Sequence, residues 1–156
     1  MSKSVTILVD VQNVYYTTRE AFNRNFDYNK FWAQVTQNRQ VDNAYAYAID
    51  RGDDKQKQFQ NILRAIGFEV KLKPFIQRGD GSAKGDWDVG ITIDAMKSLS
   101  DEIVIVSGDG DFDLLAKQLR VMGKFVEVYG VEPLTARSLV MAANRFHLID
   151  DALLLK

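Results

Sequence analysis

Acidic residues follow two apolar segments of this 156-residue chain, at positions where they could bind a divalent cation. Asp10 comes directly after the β-branched run Val5–Val9, and Asn13 follows three residues later. Asp109 and Asp111 come after a second apolar run. Such runs are typical of buried parallel strands, and ligands of α/β sheets bind beyond the carboxyl ends of these strands. If the two strands are neighbours, the four side chains share one pocket.

Asp88 supplies a further carboxylate, in the first turn of a helix predicted over residues 88–99. A helix that crosses between the two strands would carry Asp88 to the same pocket. Carboxylates with water as additional ligands suit Mg²⁺ or Mn²⁺. One or two such ions promote phosphodiester hydrolysis by generating hydroxide and by stabilising the charge that develops on the reacting oxygens. Taken singly, each aspartate could instead be a helix N-cap that accepts backbone N–H groups.

Strands and helices alternate along the chain. Short apolar or alternating segments predict strands at residues 5–9, 41–50, 68–76, 102–106 and 124–129. Apolar residues three and four apart predict helices between the first two strands and at residues 55–66, 88–99, 112–122 and 134–143. This alternation predicts an α/β fold, with a mainly parallel, doubly wound sheet between two layers of helices. The length suits a single domain over residues 1–156.

One face of the predicted 88–99 helix is apolar, and we expect that face to pack on the sheet. Its members are Val89, Ile93, Met96 and Leu99. Asp94 lies roughly 240° around the helix from Asp88 at 100° per residue, so the two carboxylates should point in different directions.

Composition limits the chemistry that the chain can perform. Cysteine is absent, which excludes disulfides, thiolate metal sites and a cysteine nucleophile. His147 is the single histidine, which excludes a multi-histidine metal centre within one chain and is most simply a structural residue. Any metal must therefore be held by oxygen. The segment MSKSVTILVD has the features of neither a signal peptide nor a membrane span, so we expect a cytoplasmic protein with no membrane partner.

Charge is balanced in total but uneven along the chain. The formal net charge is -1, from 20 basic and 21 acidic residues, yet residues 86–113 hold eight acidic residues and one basic residue. Carboxylates that a fold brings together repel one another, so such a cluster persists if cations bind it or if its members diverge into solvent. Basic residues are in excess elsewhere, which permits a surface that binds a polyanion.

Several side chains could contact such a polyanion. Lys84 and Arg78 lie in a glycine-rich segment, residues 77–85, that predicts a flexible loop. Arg51 follows the second predicted strand. Tyr15 and Tyr16 could stack on bases, although aromatic residues in a helix more often pack against the core.

Three motifs occur in order along the chain: D-x-x-N at residues 10–13, K-G-x-x-D-V at 84–89 and S-G-D-G-D-F at 107–112. Together they resemble the motifs of the NYN domains, which belong to the PIN-like nuclease superfamily. The resemblance extends over essentially the whole chain. It implies a three-layer α/β/α PIN-like fold whose acidic pocket binds magnesium or manganese and cleaves RNA.

The resemblance also assigns roles by motif position. It implies a catalytic set formed by Asp10, Asn13, Asp88, Asp109 and Asp111, in which the four aspartates are the metal ligands. The middle motif is one residue longer than the frequent K-G-x-D pattern, so Asp86 is an alternative ligand to Asp88. Val11 stands where the family often has glycine. Family analogy further implies a homodimer.

Three functions are consistent with these features. The leading hypothesis is an Mg²⁺- or Mn²⁺-dependent ribonuclease, with endonuclease action favoured over exonuclease action and the choice left open by the sequence. The alternative is a non-catalytic NYN module that binds RNA or a protein in a regulatory role. A receiver-like phosphoacceptor is disfavoured, because Asp10 has no acidic neighbour in the preceding chain.

Overall fold

A computed structural model of the chain describes residues 3–74, 76–77, 83–84 and 86–156. The strands are β1 Lys3–Asp10, β2 Arg39–Asp50, β3 Glu69–Pro74, β4 Ile76–Gln77, β5 Ala83–Lys84, β6 Glu102–Val106, β7 Phe125–Gly130 and β8 Arg145–Leu148. The helices are α1 Val11–Phe22, α2 Tyr28–Val35, α3 Asp54–Ile66, α4 Asp88–Lys97, α5 Asp113–Val121 and α6 Arg137–Ala142. Short 3₁₀ helices span Gly110–Phe112, Glu132–Leu134 and Asp151–Leu153.

The main sheet has six strands in the order β3-β2-β1-β6-β7-β8, and all neighbouring pairs are parallel. The chain builds outward from β1 through β2 to β3 and then crosses back to β6. The strand order therefore reverses between β1 and β6, where the carboxyl ends of two adjacent strands leave a crevice. This sheet, with helices on its two faces, confirms the predicted α/β architecture and matches a PIN-like fold.

The central strands are buried because both of their faces are covered. Val5, Ile7 and Val9 of β1 belong to one apolar cluster, which includes Phe31 of α2 and Leu63 of α3. Leu8 points to the opposite cluster, whose helical members include Ile91, Leu115 and Leu139 from α4, α5 and α6. A strand covered on both faces needs a continuous apolar sequence, which explains the run before Asp10.

Helix α4 packs on the sheet through a different face from the one that its apolar stripe predicted. Ile91 and Ala95 are buried, whereas all four residues of the stripe are exposed: Val89 by 69%, Ile93 by 52%, Met96 by 39% and Leu99 by 94%. Asp94 lies toward the sheet, where it accepts hydrogen bonds from Tyr47 and Lys71 at 2.8 and 2.7 Å.

Two further segments differ from the sequence prediction. Residues 145–148 form β8, which pairs in parallel with β7 and was not predicted. The antiparallel β4-β5 pair joins Ile76 with Lys84 and Gln77 with Ala83, so strand pairing extends from the end of the predicted 68–76 strand into the predicted loop. Arg78 and the rest of that segment, residues 78–82 and 85, lie outside the described residues. In the part of the chain that is described, no helix has both the length and the apolar character needed to cross a membrane.

Candidate metal centre

Asp10 stands at the end of β1 and begins helix α1. Its carboxylate caps the helix by accepting the backbone N–H of Asn13 at 3.5 Å. The same carboxylate accepts the Ser107 hydroxyl, at 3.2 Å, from the end of the neighbouring strand β6. Asp10 therefore caps a helix, as an isolated aspartate at a strand-to-helix junction would, and also faces the crevice between the two strands.

Asn13, in the first turn of α1, also links the ends of β1 and β6. Its side-chain oxygen accepts the backbone N–H of Gly108 at 2.9 Å. Gly108 runs close to the segment before α6, since a Cβ at this position would lie 2.7 Å from the Leu134 carbonyl oxygen. Only glycine fits this approach without displacing backbone. Asn13 thus fixes the position of the turn that carries Asp109 and Asp111.

Hydrogen bonds to serine and aspartate side chains stabilise that turn. The Asp109 backbone N–H donates to the Ser107 hydroxyl at 3.2 Å, and the Asp109 carboxylate accepts the Asp111 N–H at 2.9 Å. Asp109 is half-buried and Asp111 is exposed. Phe112, the next residue, is buried in the core and anchors the turn. The short-range bonds explain why S-G-D-G-D-F adopts one local conformation.

Asp88 arrives from the opposite side of the crevice, in the first turn of α4. Two contacts fix the start of this helix: the Trp87 indole N–H donates to the Ala48 carbonyl at 2.9 Å, and Lys73 Nζ donates to the Asp86 carbonyl at 2.9 Å. The Asp86 side chain accepts the Asp88 N–H at 3.2 Å and is exposed. Asp86 therefore supports the helix start, while Asp88 extends into the crevice.

Three carboxylates meet at this point. Asp88, Asp109 and Asp111 each offer an oxygen, and these atoms all lie within 4.8 Å of one another. Asp10 lies beside this group, near enough that the charge of Asp109 acts on it. Asp88 thus meets Asp109 and Asp111 from a distant segment of the chain, whereas Asp10 lies outside this group of three, and its role as a metal ligand stays a prediction, as does that of Asp86.

The electrostatics of the cluster fit a cation. Burial raises the pKa of Asp10 to about 6, with hydrogen bonds from Asn13 and Ser107 lowering it and the charges of Asp109 and Asp86 raising it. Burial also raises the pKa of Asp88 to about 7, assisted by the charges of Asp109, Asp86 and Asp10. Oxygen ligands held together against their own repulsion are the donor set that Mg²⁺ and Mn²⁺ accept.

The predicted substrate contacts have different outcomes. Arg51 is exposed just beyond the carboxyl end of β2, on the same edge of the sheet as the acids. Lys84 belongs to β5, and its contact with substrate stays a prediction, as does that of Arg78. Tyr15 and Tyr16 are 54% and 55% exposed, so the expectation that they pack against the core is wrong. Val14 and Thr18 form the buried face of α1 instead.

Ser107 is a site residue that the sequence prediction did not include. It acts as a bridge, because its hydroxyl donates to the Asp10 carboxylate and accepts the Asp109 backbone N–H. The signal that could have identified it is its position, since a serine at a strand end, two residues before an aspartate, often bonds to the backbone N–H of that residue.

Three comparisons with known proteins agree with this structure. The family model of the NYN domain matches residues 4–150. The "Low amplitude and bright protein LabA" of Synechococcus elongatus is 31% identical over 117 residues, an alignment that covers 70% of this chain and 63% of LabA. The chain thus spans less than two thirds of the length of that relative. The crystal structure of a protein of unknown function from Vibrio parahaemolyticus has a TM-score of 0.94 and 56% identity, covering 99% of this chain and 97% of that one.

Proposed function

Because the chain belongs to the NYN domain family, a nuclease-like family, we propose that it is a metal-dependent ribonuclease that hydrolyses RNA phosphodiester bonds at the acidic crevice. One observation carries this proposal: carboxylate oxygens of Asp88, Asp109 and Asp111 lie within 4.8 Å of one another, beside Asp10. Carboxylates at this density repel one another and the RNA backbone alike, so the arrangement favours a cation between them and the substrate.

The four aspartates would hold Mg²⁺ or Mn²⁺. A bound ion of this kind supplies a nucleophilic hydroxide and neutralises charge on the phosphate oxygens. Hydrogen bonds within the protein hold the carboxylates in position. Ser107 and Asn13 tie the ends of β1 and β6 together, so that Asp10 and Asp109 keep a constant separation. Arg51, Arg78 and Lys84 would contact the RNA backbone, since cationic side chains bind phosphate.

Endonucleolytic cleavage is part of the proposal. Asp111 is exposed, so the crevice opens to the surface of the protein at that point. A site that is not enclosed leaves room for an internal stretch of a strand as well as for a free end. A circular RNA therefore serves as the discriminating substrate, because an exonuclease leaves it intact.

The test is cleavage of labelled linear and circular RNAs with Mn²⁺ or Mg²⁺, with and without chelator. We expect Asp109→Asn to abolish cleavage while preserving the cap on the following turn. Asp150→Asn is the matched control, because Asp150 also begins a 3₁₀ helix and accepts the N–H two residues later, at 3.2 Å. Cleavage that survives both chelator and Asp109→Asn would refute the proposal. Tight RNA binding without turnover, unaffected by divalent ions, would favour the non-catalytic module.

A further inference from the structure

Six large apolar residues are exposed along helices α4 and α5. They are Val89, Ile93, Met96, Leu99, Leu114 and Val121, of which Leu114 and Val121 are 72% and 80% exposed. Both helices cover the same face of the sheet, and they contact each other. Their outward sides therefore form one surface, which we call the α4–α5 face.

Helical geometry explains why these residues stay outside the core. At 100° per residue, Ile93 lies about 160° around α4 from each of the buried residues Ile91 and Ala95. Val121 lies about 160° around α5 from the buried Leu119. The apolar side chains thus point away from the sheet, where no described part of the chain covers them.

The size of the α4–α5 face fits an interface between proteins. The exposed fractions of its six apolar residues amount to roughly 600 Å² of accessible surface, whereas the largest apolar patch on a typical monomer is about 300–600 Å². A stable interface of standard size buries about 800 Å² on each partner, with an apolar centre and a polar rim. The face is therefore large enough to form the apolar centre of such an interface.

Charges at the helix ends favour a second copy of this chain as the partner. Helices α4 and α5 run in the same direction, since both begin beside the acidic crevice and both lead to the start of a parallel strand. Asp88 and Asp113 lie in their first turns, and Lys97 and Arg120 lie in their last turns. A two-fold axis that crosses the helices at right angles places the acidic starts of one copy opposite the basic ends of the other. The dipoles of the facing helices then also oppose each other favourably.

We propose that the α4–α5 face is the interface of a homodimer, in which the α4 helices of two copies pack antiparallel. Ile93 lies near the middle of α4, so the two-fold axis brings its two copies together at the centre of the interface. Leu114 and Val121 extend the contact along α5. Lys117 lies between them and is exposed, and a lysine can lay its aliphatic stem on apolar surface while its amine reaches solvent at the rim.

Sedimentation velocity of the full chain in EDTA, over a range of concentrations, tests the oligomeric state. We expect the wild type to form a two-chain species. Ile93→Glu should raise the Kd of the dimer at least about 10-fold, because it places an unpaired charge at the centre of the interface. Ile62→Glu is the matched control, since Ile62 is 54% exposed on α3, on the other face of the sheet, and Ile93 is 52% exposed. This control should leave the Kd unchanged.

Cross-linking tests the antiparallel arrangement. The chain has no cysteine, so Ile93→Cys provides a single thiol in each copy. A short bismaleimide should join two copies of this variant, because the axis holds the two thiols close together. The matched control Ile62→Cys should give no cross-linked dimer under the same conditions.

Several results would overturn the proposal. One is a wild type that sediments as a single chain at the highest concentration that stays soluble. Another is a dimer that is unchanged by Ile93→Glu and by Leu99→Glu; Leu99 is 94% exposed and follows α4, so Leu99→Glu replaces Ile93→Glu should that variant fail to fold. Equal effects of the variants at Ile62 and at Ile93 would also overturn it, because the contact would then not be specific to the α4–α5 face. RNA cleavage enters none of these measurements, so the dimer and the ribonuclease proposal stand or fail separately.

Discussion

Asp10→Asn should stabilise the metal-free protein, although it removes a residue of the proposed active site. Burial raises the pKa of Asp10 to about 6, from an ordinary value of 3.8. The folded state then binds the proton more tightly than the unfolded state does, so the ionisation of Asp10 costs stability progressively as the pH rises from about 3.8 to about 6, and the full cost applies above that range. Asparagine cannot ionise, and it caps a helix about as well as aspartate does.

The size of the effect follows from the same shift. A displacement of about two pKa units corresponds to about 3 kcal/mol in the free energy of unfolding at pH 8, and the difference falls to about 1 kcal/mol at pH 4.5. Urea denaturation in EDTA at the two pH values measures it. Asp53→Asn is the control, because Asp53 caps α3 by accepting the Gln56 N–H at 2.7 Å and is exposed. We expect Asp53→Asn to change the free energy of unfolding little at either pH.

Divalent cations should make wild type more stable than Asp10→Asn, which is the reverse of the order expected in EDTA. Mn²⁺ lowers the free energy of the ionised carboxylates, so it should stabilise wild type more than Asp10→Asn. A variant that is less stable than wild type at pH 8 in EDTA would refute the reasoning, because it would mean that the Asp10 carboxylate stabilises the empty fold. A gain of equal size at pH 8 and pH 4.5 would also contradict it, since the effect would then not come from ionisation.

Three other perturbations have defined outcomes. Saturating Mn²⁺, at about 100 times its Kd, should stabilise the protein by about 2.7 kcal/mol in thermal melts, and Asp109→Asn should remove most of that gain. Glu127→Gln should destabilise by about 3 kcal/mol at pH 7, because the buried Glu127 pairs with Arg39 and with His147 at 2.7 Å. Burial opposes ionisation of Glu127, but these hydrogen bonds outweigh it and hold its pKa below 4.5, so the pair's contribution is present above that value and disappears as the pH falls through the lowered pKa. Gln60→Leu should raise the free energy of unfolding by about 1 kcal/mol in urea, since it removes a buried donor that has no partner in the described part of the chain; a clear loss would indicate that the amide is already satisfied.

Much of the fold was predictable because a strand that is buried in a parallel sheet has a recognisable apolar sequence. A strand covered on both faces must be apolar throughout, and the segment before Asp10 is the clearest example. The position of the acids followed from the same reasoning, since parallel strands present their carboxyl ends at one edge. Asp109 and Asp10 could be expected together once their strands were taken as neighbours, as β1 and β6 are.

Other features were decided by contacts that no local pattern records. Helix α4 has apolar residues on two sides, and the packing of Ile91 and Ala95 selected the buried one, which left Ile93 exposed. The strand β8 was missed because its residues are only partly buried at the edge of the sheet, where the apolar signal is weak. Tyr15 and Tyr16 looked like core residues by type, and only the orientation of α1 turned them to the surface.

The sequence by itself determined the alternation of the central strands with helices, the exclusion of cysteine and multi-histidine chemistry, and the presence of acids directly after β1 and β6. These depend on residue type and on spacing along the chain. The tertiary structure alone decided that Asp88 meets Asp109, that Ser107 bridges two strand ends, and that the Gln60 amide nitrogen is buried with no hydrogen-bond partner among the described residues. Each of these depends on distances between segments that are far apart in the chain. Those distances are established only when the helices pack against the two faces of the sheet.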